Sequence, residues 1–107
     1  MKLDIGKARG VTCFLCDPQS LLSLIDEERL LYIICSPKQM KEILQVESLN
    51  PAESSNIRID PLYEMTLESA CRSIHKAYNW FKTKGLDDRE IYGCTMLDDD
   101  PVSYTHL

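Results

Sequence analysis

Leu30–Leu44 reads LLYIICSPKQMKEIL, and its two halves obey different rules. Leu30 to Cys35 is an unbroken apolar run rich in branched and aromatic residues, the composition of a parallel strand buried on both faces. At Ser36 the pattern switches. Ser36 and Gln39 stand at capping-box spacing, and Pro37 occupies a first-turn position where no N–H is needed. Met40, Ile43 and Leu44 then recur at helical spacing, giving a helix with an apolar face to lay on the strand it has just left. A strand running directly into a covering helix is half of a βαβ unit.

The same design recurs upstream. Val11 to Cys16, VTCFLC, reads as a buried strand, and Asp17-Pro18 repeats the cap-then-proline start. Leu21, Leu22, Leu24 and Ile25 predict a short helix, which the acidic run Asp26, Glu27 and Glu28 keeps brief because negative charge opposes a helix C-terminus. Downstream, LNPAESSN reads as a surface loop and IRID, Ile57 to Asp60, as a third strand closed by Asp60-Pro61. Leu67, Ala70, Cys71, Ile74, Ala77, Tyr78 and Phe81 predict a long amphipathic helix over about 64 to 84. In it Glu68, Arg72, His75 and Lys82 face water, and Lys82, Lys84 and Gly85 form its C-terminus. IYGCTML, from Ile91, reads as a fourth strand.

The order β-α-β-α-β-α-β with right-handed crossovers predicts an α/β, Rossmann-like three-layer domain with a parallel sheet ordered 3-2-1-4. Strands one and four become neighbours at the topological switch point, and ligands of open α/β sheets bind outside the carboxyl ends of the strands there. Residues 1–100 are read as a partial domain, truncated at its C-terminus. PVSYTHL, residues 101–107, resembles translated sequencing-adaptor read-through and is set aside as a non-native tail.

With 107 residues the chain is one domain or part of one, and 44% hydrophobic with 27% charged residues is ordinary for a soluble globular protein. The net charge of −5 provides no general attraction to duplex nucleic acid or to an anionic membrane. Neither a spanning helix nor a signal peptide is legible, so the expected location is the cytoplasm. Five cysteines are an odd number, and Cys13, Cys16 and Cys35 lie in apolar runs where cysteine acts as a small hydrophobe. Cys13 and Cys16 form C-x-x-C, but residues three apart on a strand point to opposite faces, and no second ligand pair accompanies them. A metal site is therefore not expected.

The common catalytic signatures G-x-S-x-G, G-x-x-x-x-G-K-S/T, G-x-G-x-x-G and H-E-x-x-H do not occur. With only four glycines and no glycine loop after the first strand, a dinucleotide pyrophosphate lacks its usual cradle, so no NAD or FAD cofactor is expected. The candidate ligand-binding residues are Asp17, Gln19 and Ser20 after strand one, Ser36 and Lys38 after strand two, and Thr95 at the end of strand four, with Asp98 beyond it. Asp17 and Ser36 also have the spacing of helix caps, Trp80 and Tyr78 that of core or interface residues, and Asp98 to Asp100 that of a solvated turn.

RLLYIICSPKQMKEIL, IRIDP, and the helix ESACRSIHKAYNWFKTKG with its following strand resemble the CRISPR-associated Rossmann-fold (CARF) sensor domains of type III CRISPR systems. Cys35, Ser36, Pro37 and Asp60 match that family's strand ends, over roughly residues 11 to 96. The family's T-G-G-T-K-like loop is not present, since Thr95 is followed by MLDDD. The resemblance implies a homodimeric ligand-sensing module that binds cyclic oligoadenylate across its two-fold axis and regulates a downstream nuclease effector in antiviral defence. Two other readings remain open: a fragment of an α/β nucleotide-binding enzyme whose catalytic residues lie further along the chain, and a receiver-like domain with Asp60 at its third strand end.

Overall fold

The computed structural model describes residues 8–95 and 102–103. Four parallel strands, β1 (Gly10–Phe14), β2 (Leu30–Cys35), β3 (Ile57–Pro61) and β4 (Ile91–Thr95), lie in the order 3-2-1-4. The chain is an α/β, Rossmann-like fold. A two-residue strand, β5 (Val102–Ser103), runs antiparallel to β4 within the segment set aside as a tail. Between the parallel strands lie α1 (Pro18–Leu22), α2 (Pro37–Leu44) and α3 (Leu67–Thr83).

Strand alternation divides the core into two layers. Val11, Cys13, Leu31, Ile33, Cys35 and Ile57 pack with Leu21, Met40, Ile43 and Leu49 on the face carrying α1 and α2. Phe14, Leu30, Tyr32 and Ile34 pack with Ala70, Ile74, Ala77, Trp80 and Phe81 under α3. Opposite placement of the helices follows from β3 crossing past β1 to reach β4, which makes the β1–β4 junction the switch point.

The two cap-then-proline starts form as read. Asp17 Oδ1 accepts the Ser20 N–H at 2.8 Å. Ser36 Oγ accepts the Gln39 N–H at 3.1 Å while Gln39 Oε1 accepts the Ser36 N–H at 3.0 Å, completing the capping box. The third switch is built otherwise. Pro61 is still paired in β3, opposite Cys35, and α3 is capped by Thr66, whose Oγ1 accepts the Ser69 N–H at 3.1 Å. Asp60 therefore caps nothing. Its carboxylate instead accepts a hydrogen bond from Tyr32 on the neighbouring strand, at 2.8 Å.

Two further expectations are corrected. β1 ends at Phe14 because Leu15 adopts φ +57°, a left-handed conformation that breaks the alternation. Cys16 consequently folds back into the same core layer as Cys13, where strict alternation would have placed it across the sheet. The buried face of α3 is also rotated. Ser73, Ala77 and Phe81 are its buried residues, with Ala70, Ile74 and Trp80 packed beside them, whereas Leu67 is 81% exposed and Cys71 and Tyr78 face outward. Glu68, Arg72, His75 and Lys82 are exposed as expected.

α3 ends in a Schellman motif, with the Leu86 N–H donating to Phe81 O and the Gly85 N–H to Lys82 O. Gly85 takes φ +88°, and Leu86 joins Phe81 in the core.

Candidate functional site

The carboxyl ends of β1, β2 and β4 share one edge of the sheet, since Phe14 pairs with Ile34 on one side and with Thr95 on the other. The chain leaving this edge carries Asp17 as the cap of α1 with Gln19 and Ser20 in its first turn, and Ser36 as the cap of α2 with Lys38 in its first turn. The two segments are tied together locally. Leu15 N–H donates to Ile34 O at 2.9 Å, and Gln39 Nε2 reaches back to Leu15 O at 3.5 Å. Gln39 thus bonds the start of α2 with one end of its amide and the β1 loop with the other.

Within this group Asp17 and Ser36 direct oxygens at helix N–H groups, so their side chains serve the scaffold first. Gln19 and Lys38 are exposed and Ser20 is half-buried, which leaves these three as the polar groups an incoming molecule meets. Thr95 takes its place at the edge through its backbone pairing with Phe14. Asp98 and the acidic run through Asp100 lie outside the described residues.

A second polar group, outside the residues expected to bind a ligand, sits under α3. Tyr32 is 5% exposed and donates to Asp60, and burial first, then that hydrogen bond, raises its hydroxyl well above the usual tyrosine range. Burial also pushes the Cys35 thiol up to about 11, with the Asp60 charge adding to the effect. A protonated Tyr32 and a protonated Cys35 are the stable forms at neutral pH. Trp80 stacks obliquely on Tyr32, ring centroids 6.0 Å apart, and Arg58 lies 5.9 Å from the Trp80 ring. A hydroxyl inside an apolar strand with an acid on the adjacent strand is the signal that could have found this pair, because a buried donor requires an acceptor.

A depression in the surface of the described residues lies elsewhere. It has a volume of about 320 Å³ and opens at the amino ends of β2 and β3, against Leu31 and Ile57, with Ile25, Arg29 and Asn56 on its walls. Two of those walls are internally braced: Arg29 donates to Ala8 O and Leu24 O, and Asn56 Nδ2 donates to Glu27 O at 3.0 Å. None of the six sequence-predicted residues lines it.

Among the described residues, no three His, Cys, Asp or Glu side chains are grouped to hold a metal ion, and no helix is long and apolar enough to cross a membrane. Cys13, Cys16 and Cys35 are fully buried. Comparison of the chain with protein-family models, with curated proteins and with solved structures found no match.

Proposed function

We propose that this domain is a ligand-sensing module of the CARF kind, acting in the cytoplasm, with the ligand received at the carboxyl edge of β1 and β4. The supporting observation is the strand order 3-2-1-4 with α1 and α2 on one face and α3 on the other, which makes the β1–β4 junction the topological switch point, where ligands of open α/β sheets bind. Gln19 and Ser20 offer neutral donors and acceptors suited to base edges and ribose hydroxyls. Lys38 offers a cation for phosphate. On this reading the ligand is a cyclic oligoadenylate, bound by a homodimer, and the consequence of binding is passed to a nuclease effector.

Calorimetric titration with cyclic tetra- and hexaadenylate tests the proposal. Saturable heat is expected from one of the two rings, and it should vanish in the Gln19→Ala/Ser20→Ala double variant while the fold is retained by circular dichroism. A folded protein that binds neither ring overturns the sensor reading and leaves the nucleotide-binding enzyme fragment ahead. Linear ATP or AMP then becomes the ligand to titrate.

A further inference from the structure

We draw no further inference here: the strongest candidate, the exposed apolar patch of Leu67, Cys71 and Tyr78 on α3 with Tyr63 and Met65 in the segment before it, carries nothing because nothing in the structure shows what covers it.

Discussion

Gly10 opens β1 directly beneath the Phe81 ring. A Cβ placed on Gly10 would stand 2.9 Å from Phe81 Cδ1 and 2.7 Å from Leu86 Cδ2, closer than carbon atoms pack. Phe81 is fully buried and Leu86 nearly so, so neither side chain has free space to move into. Gly10→Ala is expected to destabilise the fold by about 1–3 kcal/mol through overpacking. Chemical denaturation of the variant against the parent checks this, and an unchanged midpoint would show that the α3 C-terminus shifts freely.

The rotated face of α3 makes a paired prediction. Phe81→Ala should cost about 3–5 kcal/mol, the loss typical of a buried aromatic side chain. Leu67→Ala should fall within about 0.5 kcal/mol, because a residue 81% exposed has little burial to lose. Comparable losses at both positions in thermal or urea unfolding would mean that Leu67 is covered in solution.

That rotation also shows where the sequence ceased to be legible. The parallel strands and both capping motifs follow from local chemistry, apolar runs with Asp17-Pro18 and Ser36-Pro37, and the strand order from their alternation with helices through right-handed crossovers. The helix face depends on how closely α3 approaches the sheet. Ala70, Ser73 and Ala77 are small and line the contact, and Ser73, only 3% exposed, carries no hydrophobic signal that would mark it as buried. Favouring Leu67, Cys71 and Tyr78 instead turned the predicted face by about 50°, at about 100° per residue. The end of β1 is hidden in the sequence for a different reason. Leu15 carries no glycine or asparagine signal for its positive φ, a conformation imposed by the surrounding structure.

The candidate site was legible only as a place. Switch-point topology located the edge, and the structure shows Asp17 and Ser36 used there as caps. Ser36→Ala should therefore lower stability by about 1 kcal/mol, the usual loss for a helix N-cap. Differential scanning of the unliganded variant measures it. No change in melting temperature would mean that Ser36 is free for a ligand.

Buried thiol chemistry predicts a pH dependence. The folded Cys35 thiol titrates at about 11 against an ordinary value of 9.0, so the folded chain holds this proton more tightly than the unfolded chain. Its contribution is present below about pH 9 and is lost as pH rises through the folded value, a loss of order 2–3 kcal/mol at about 1.4 kcal/mol per pH unit. Tyr32, shifted in the same direction, extends the decline above pH 10. Unfolding free energy measured from pH 8 to 10.5 should fall less steeply in Cys35→Ala than in the parent, whatever the variant's stability at pH 7. Parallel slopes would show that the thiol is not the titrating group.

The two edges of the sheet finally make opposite predictions about where a ligand lands. A molecule received at the switch point touches the loops that leave β1 and β2, so backbone amides of residues 15–20 and 36–39 should shift in NMR titration with a cyclic oligoadenylate. Their response should be coupled, because Gln39 bonds Leu15 O and the Ser36 N–H with the same side chain. Gln39→Ala should loosen both loops together and weaken binding several-fold, which a helix cap acting alone would not do. A molecule entering the 320 Å³ depression would instead move the amides of residues 25–29 and 54–57 and leave Gln19, Ser20 and Lys38 unperturbed. Shifts confined to that second set would move the binding site to the amino edge, where Arg29 and Asn56 stand, and would remove the basis for a switch-point sensor.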